Sequence, residues 1–341
     1  MISLRLLIVR DRKPGHFHQT EGLARLIAER VPAEIDRLPV KPRRLAHSFV
    51  RRMALKHFAK DPAWWLGLLY GVDVAGLARP DVVLASGRPT IAAGIFLARH
   101  FGADLVYTGR ATGYDRADFT RMLVPFPRYA AEPQSTYSPI PCTVEPDRLP
   151  SPKPLKNNED LAGARIALLL GGKSHGHRFR DDEWQAVVRF VEASAAAFGI
   201  RWSVSTSRRT PPAVADLFAG QAARGVLETF VDYRQGGAGS AAALFALDAI
   251  VVTEDSLSMI TEAVTARRPV IALKPDKVEA SMNDEAVAMM YARGAVSVLP
   301  LASLTPDLFA RELTRLTPDS HDIRAEIWSA IEPVVAKYRR S

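Results

Sequence analysis

Several groups of residues in this chain have types and spacings suited to chemistry on anionic or hydroxyl-bearing ligands. The first is Glu254-Asp255-Ser256, followed by Ser258, Met259 and Glu262. Ala249 to Thr253 is short, apolar and β-branched, as a buried parallel strand is. Leu257 to Thr265 carries apolar residues at helical spacing. Strand, polar corner and helix together put the corner at the carboxyl end of a parallel sheet, where open α/β folds bind ligands. The helix N-terminus favours an anion there. Glu262 has the reach to accept hydrogen bonds from a ribose or sugar diol. The same pattern also suits an ordinary capped helix. The second group is Gly171-Gly172-Lys173-Ser174, a glycine-rich turn with a cation at a strand end, suited to pyrophosphate. It lacks the first glycine and the spacing of a Walker loop. Arg208 and Arg209 leave the strand Trp202 to Thr206 and read as phosphate contacts or as solvated loop arginines. Near the amino end, Asp11, Lys13, Gly15, His16, His18 and Gln19 follow the strand Leu4 to Arg10 in what reads as a loop before a helix from Thr20 to Glu29. Histidine has the pKa range of a general base, so a catalytic base or an acceptor contact fits here, as do solvated side chains. Gly15 suggests a close backbone approach or a left-handed conformation. Ser86-Gly87-Arg88, at the end of the strand Asp81 to Ala85, can cradle an anionic group.

The elements that must position these residues alternate strand, Gly/polar turn and helix in both halves of the chain. That pattern predicts doubly wound α/β structure. At 341 residues the chain suits two domains. Prolines crowd Ala131 to Asn158, which reads as an interdomain linker. The expected division is residues 1–150, 151–322, and a terminal helix over 323–341. Asp181-Asp182 reads as the acidic start of a helix over Asp181 to Phe198 rather than as a metal site. Gln235 to Ser240 is glycine-rich and reads as flexible.

Cys142 is the single cysteine, which excludes an intrachain disulfide and a Cys-based zinc site. No apolar run has the length of a membrane span. Ile2 to Val9 contains Arg5 and runs into Arg10-Asp11-Arg12-Lys13, so it reads as a strand and its loop rather than a signal peptide. A cytoplasmic protein is expected. The formal charge is +8. Much of it falls in 41–71, where Lys41, Arg43, Arg44, Arg51, Arg52, Lys56 and Lys60 alternate with or precede Phe49, Val50, Met53, Phe58, Trp64 and Trp65. This reads either as a patch for an anionic membrane surface or as a helix packing its aromatics inward under a solvated basic face. No nucleic-acid-binding module accompanies the charge.

Three motifs carry a resemblance. They are Asp11-Arg12-Lys13-Pro14-Gly15-His16-xx-Gln19, Thr206-Ser207-Arg208-Arg209-Thr210-Pro211, and Val252-Thr253-Glu254-Asp255-Ser256-x-Ser258-Met259-xx-Glu262-Ala263. Through them the chain resembles, essentially end to end, bacterial members of the mitochondrial-fission-protein-like family. The founding eukaryotic member of that family is a plant protein needed for mitochondrial division. The bacterial members are classed as GT-B glycosyltransferases of cell-envelope glycan or lipopolysaccharide synthesis. The resemblance implies two Rossmann-like domains facing a cleft, with the terminal helix returning to the first. It implies a nucleotide-sugar donor in the second domain and a glycolipid or envelope glycan acceptor in the first, with no cofactor and no metal. Carried onto this sequence, Gly171, Gly172, Lys173, Ser174, Arg208 and Arg209 lie near the diphosphate. Glu254, Asp255, Ser256, Ser258 and Met259 line the donor site, and Glu262 holds the ribose. Lys13, Gly15, His18, Gln19, Ser86, Gly87 and Arg88 fall on the acceptor side. The base that deprotonates the acceptor is His16 first and Asp11 second. Phe230 to Ser240 is a glycine-rich version of the segment that supplies base contacts in this fold. The plant relative's recruiting role implies the alternative of a catalytically silent adaptor docking on a membrane or a protein.

Overall fold

The computed structural model describes residues 3–57, 60–174, 176–236, 241–279, 282–318 and 321–339. The chain divides into two compact units, Met1–Thr143 with Asp322–Ser341, and Val144–His321.

The first unit runs β1 (Leu4–Arg10), α1 (Pro14–Ala28), β2 (Ala33–Pro39), α2 (Ser48–His57), α3 (Pro62–Tyr70), β3 (Val82–Ser86), α4 (Ile91–Phe101), β4 (Asp104–Thr108), β5 (Arg121–Val124) and β6 (Ser135–Tyr137). Its strands form one parallel sheet in the order β2-β1-β3-β4-β5-β6. β3 is buried along its whole length, as a strand covered on both faces must be. α4 presents Ile91, Ile95 and Phe96 to the same core. The sheet winds outward from β1 in both directions, so β1 and β3 flank its switch point.

The second unit repeats the plan with β7 (Arg165–Leu169), β8 (His177–Arg178), α5 (Asp181–Phe198), β9 (Arg201–Ser205), α6 (Pro212–Ala223), β10 (Leu227–Val231), β11 (Ala249–Thr253), α7 (Leu257–Thr265), β12 (Val270–Lys274), β13 (Lys277–Val278), α8 (Met282–Ala292), β14 (Val296–Pro300) and α9 (Pro306–Arg315). The order β10-β9-β7-β11-β12-β14 puts the switch point between β7 and β11. Trp184, Trp202, Phe218 and Phe309 fill the space between this sheet and α5, α6 and α9. β8 and β13 form a separate antiparallel pair. The glycine-rich stretch expected over 235–240 lies outside the described residues from 237 onward.

α10 (Ile323–Val335) belongs to the first unit, where Arg324 pairs with Glu29. Just beyond it, the Tyr338 hydroxyl donates to an Asp104 carboxylate oxygen at 2.7 Å.

The structure corrects the sequence reading in several places. The residues after β1 are not a loop as far as Thr20. Helix α1 begins at Pro14, with Pro at N1 and extended Lys13 as its N-cap. Proline's fixed φ suits that position, and its missing N–H costs nothing there. Gly15 is helical, and a Cβ on it would meet nothing within 4 Å, so it serves no close approach. The proline-rich stretch is not a free tether from 131. β6 lies within it, and the Cys142 carbonyl packs against α1, where a Cβ on Gly22 would fall 2.2 Å from that oxygen. Gly22→Ala is therefore expected to cost about 2–3 kcal/mol by overpacking, read as a lowered urea midpoint. An unchanged midpoint would mean that the segment yields freely.

Within 41–71 the basic part forms α2 and the Trp-rich part α3. Arg51 does not join a solvated basic face. It is buried, and its Nη1 donates to the Tyr70 hydroxyl at 3.2 Å and to the Pro89 carbonyl at 3.1 Å. Burial lifts Tyr70 to about 12, so its hydroxyl stays a proton donor, and it too bonds Pro89 O, at 3.1 Å. Together they fix the turn after β3.

Candidate functional site

Two loop clusters stand at the two switch points, one in each unit. In the first unit, Asp11 ends the exit from β1 and His16 lies in the opening turn of α1. The His16 Nδ1 is 2.8 Å from Asp11 Oδ2. Asp11 Oδ1 also accepts the Lys13 backbone N–H at 2.9 Å, so the carboxylate is held from two sides. Its side chain is 6% exposed, against 28% for His16. A buried carboxylate on Nδ1 fixes the tautomer that leaves Nε2 as the basic nitrogen. Gly87 makes room for this ring. Its φ is +86°, and a Cβ there would fall 2.0 Å from His16 Nδ1.

His16 opens onto a pocket of about 480 Å³. Lys13, Gln19, Ser86, Gly87 and Arg88 line it on the polar side, and Leu123, Pro125, Phe126, Ile140 and Pro141 on the apolar side. Gln19 is oriented by its own acceptor atom: Oε1 takes hydrogen bonds from Ser86 Oγ at 2.9 Å and Thr108 Oγ1 at 3.0 Å. The Gln19 amide N–H groups have no partner among the described residues. His18 and Gly15 are not among the pocket's lining residues, although the sequence put them on the same side. Tyr107, Thr108 and Ser138 also line it, although nothing in their local sequence marks them.

In the second unit, the exits of β7, β9 and β11 are tied together by one carboxylate. Asp255 Oδ2 accepts the Gly172 N–H at 3.1 Å and stands 2.8 Å from Arg209 Nη2. The Gly171 N–H donates to Thr253 Oγ1 at 2.7 Å. Both glycines are required by close approach. A Cβ on Gly171 would fall 2.2 Å from Asp255 Oδ1, and one on Gly172, at φ +153°, would fall 2.0 Å from the Arg209 carbonyl oxygen. Burial pushes the Asp255 carboxyl above the usual aspartate range, while the Arg209 guanidinium pulls the other way. Glu254, Asp255 and Ser256 are buried, and Arg209 is committed to Asp255. The half-buried side chains are Ser258, Met259 and Glu262 on α7, and Ser174 on the loop after β7. Lys173 and Arg208 are exposed and have no ionic partner among the described residues. The first turn of α7 holds no acid, so its positive end is not neutralised from within.

One residue here went unmarked in the sequence. His177, on β8, is fully buried with Nε2 3.3 Å from Glu254 Oε2, and it braces the corner. Only the tertiary pairing reveals it. Among the described residues no group of three or more His, Cys, Asp or Glu stands where it could hold a metal ion. Asp182, at the start of α5, is paired with Arg180 at 3.0 Å.

Two parallel α/β units, each with its loop cluster at the switch point, make a GT-B glycosyltransferase-like fold. The chain belongs to the mitochondrial fission ELM1 family, whose model matches residues 14–317. Solved structures agree on the fold. A Listeria monocytogenes protein assigned provisionally as a UDP-N-acetylglucosamine 2-epimerase aligns with TM-score 0.57 and 12% identity, over 100% of this chain and 98% of its own. The glycotransferase of kitacinnamycin aligns with TM-score 0.53 and 15% identity, over 100% and 99%. The UDP-GlcNAc 2-epimerase of Methanocaldococcus jannaschii, solved with UDP-GlcNAc and UDP, aligns with TM-score 0.51 and 13% identity, over 99% and 100%. No curated protein matches the chain in sequence.

Proposed function

We propose that this protein is a glycosyltransferase that moves a sugar from a nucleotide-sugar donor to a lipopolysaccharide or glycolipid acceptor of the cell envelope. The observation that carries the reading is the Asp11–His16 pair at 2.8 Å, opening onto a pocket large enough for a sugar. His16 Nε2 takes the proton of an acceptor hydroxyl as that oxygen attacks the anomeric carbon. Asp11 holds the ring and stabilises the imidazolium that forms. The bond from the anomeric carbon to the diphosphate oxygen breaks, and the nucleoside diphosphate leaves. The N-terminus of α7, Lys173 and Arg208 suit the charge that develops on that group. Glu262 takes the ribose hydroxyls. The UDP-GlcNAc and UDP bound to the archaeal relative of this fold support a nucleotide-sugar donor. Incubation of a nucleotide-sugar panel with envelope lipid extract tests the reading. Label should pass to the lipid phase with wild type and not with His16→Ala. Conversion of the sugar nucleotide without any acceptor would favour an epimerase instead.

The acceptor's location has its own support. No helix among the described residues is long and apolar enough to cross a membrane. Leu45, Phe49, Val50, Trp64 and Leu68 are nevertheless exposed, and they make up five of the seven large apolar side chains exposed among the described residues. Their closeness in sequence favours an interaction surface over scatter. Exposed Arg43, Arg44, Arg52 and Lys56 stand among them in sequence, so an anionic bilayer is the surface they fit. Arg52→Glu with Lys56→Glu should weaken sedimentation with phosphatidylserine vesicles by about tenfold or more, at roughly 1 kcal/mol per base removed and reversed. Unaltered sedimentation, or none with wild type, would make the patch structural. Arg51 is unsuited to this test because it is part of the fold.

A further inference from the structure

The pocket beside His16 is cationic in a way that proton abstraction from a hydroxyl does not call for. Lys13 and Arg88 line it, and neither has an ionic partner among the described residues. No carboxylate is among the lining residues, and Asp11 is screened by the imidazole it holds. Helices α1 and α4 both start at this edge of the sheet, and neither has an acid in its first turn. Their positive ends therefore add to the two side chains. Gln19 supplies amide N–H groups with no other partner. Arg88 is also carried on a built turn, because Arg51 and Tyr70, both buried, bond the carbonyl oxygen of Pro89 next to it. A neutral glycan would leave two cations and two helix ends facing nothing. Leu123, Pro125, Phe126, Ile140 and Pro141 add apolar lining, with Ser138 among them.

We propose that this pocket binds an oxyanion, so that the acceptor is a phosphate- or carboxylate-bearing sugar, with Lys13, Arg88 and Gln19 as its contacts. The assignment of this anion to the acceptor rests on the transferase reading, but the existence of the anion site does not. Glucose, glucose 6-phosphate and glucuronate are titrated calorimetrically into the full chain with UDP in excess, which occupies the second unit's site if that site takes nucleotides. Glucose 6-phosphate or glucuronate should bind and glucose should not, and the stronger of the two identifies the anion. Arg88→Ala and Lys13→Ala should each weaken that binding by about tenfold, the scale of one charge-assisted contact. Arg189→Ala, on an exposed turn of α5, should leave it unchanged. Equal binding of glucose and its phosphate, no binding of either acid, or equal loss in the Arg189 variant would overturn the proposal. If UDP, the other nucleoside diphosphates and CMP all fail to bind while the sugar acid still does, the anion site stands and the transferase reading falls. If UDP binds and the sugar acids do not, the reverse holds.

Discussion

If His16 is the general base of a sugar transfer, His16→Ala should lower that transfer by about a thousandfold and leave the fold in place, within the usual 10²–10⁴ range for a lost general base. His16 is a partly exposed side chain in the first turns of α1, and no core packing depends on it. Its removal should therefore change stability by less than about 1 kcal/mol. Asp11→Asn is the sharper variant. The asparagine keeps the shape and can still accept from Lys13, but its amide donates to Nδ1 and drives the proton onto Nε2. The base is then in the wrong tautomer, and the loss should approach that of His16→Ala, as in other imidazole–carboxylate pairs. Because both residues act as one unit, the double variant should be little worse than either single one. Turnover by nucleoside diphosphate release, with thermal unfolding run alongside, separates the cases. Additive losses would mean that the two side chains do not work together.

Asp255→Ala should be the most damaging single change in the second unit. It strands the Arg209 guanidinium and the Gly172 N–H and opens a hole where three loops meet. Removing one partner of a buried ion pair costs about 3–5 kcal/mol. The lower end is expected, because Arg209 is 28% exposed. Loops 171–174 and 207–210 also lose their common anchor, so nucleotide affinity should fall with stability. Asp255→Asn keeps the shape and should lose less. Its pH dependence carries a signature. Burial raises the native pKa of Asp255 above the unfolded value of 3.8, so the native state holds this proton more tightly than the unfolded chain. Stability from this group is full below 3.8 and is lost as pH rises through the raised native value. Urea midpoints across that window should show a falling component in wild type that Asp255→Asn lacks. The same slope in both would place the effect elsewhere.

The alternation of apolar strands with polar turns was legible because a strand buried on both faces has little choice of side chain. β11 is an example, Ala-Ile-Val-Val-Thr with every residue buried. The polar exits were legible too, since Gly171, Gly172 and Gly87 are residues that only a tight approach explains. β2 is not legible in the same way, because its alternating charged residues keep it half-exposed at the sheet edge. The start of α1 is hidden, because Pro14-Gly15 has the look of a turn unless proline is read as the first helical residue. Arg51 looked like one more base in a basic run. Its pairing with Tyr70 and Pro89 depends on how α2 crosses α3 and the β3 turn, which spacing does not encode. Asp255–Arg209 and His177–Glu254 are likewise made by the sheet order rather than by local sequence. Such pairs bury Glu254 and Asp255, whose part in holding the loops around them local sequence does not show.

If the second unit grips a nucleotide-sugar, direct calorimetric titration should show it. UDP, other nucleoside diphosphates and CMP are titrated into wild type and Glu262→Ala. One nucleotide should bind wild type and stabilise it by mass action, and Glu262→Ala should lose that binding. A chain that binds none of them, or a Glu262→Ala variant that binds as wild type does, would contradict the account.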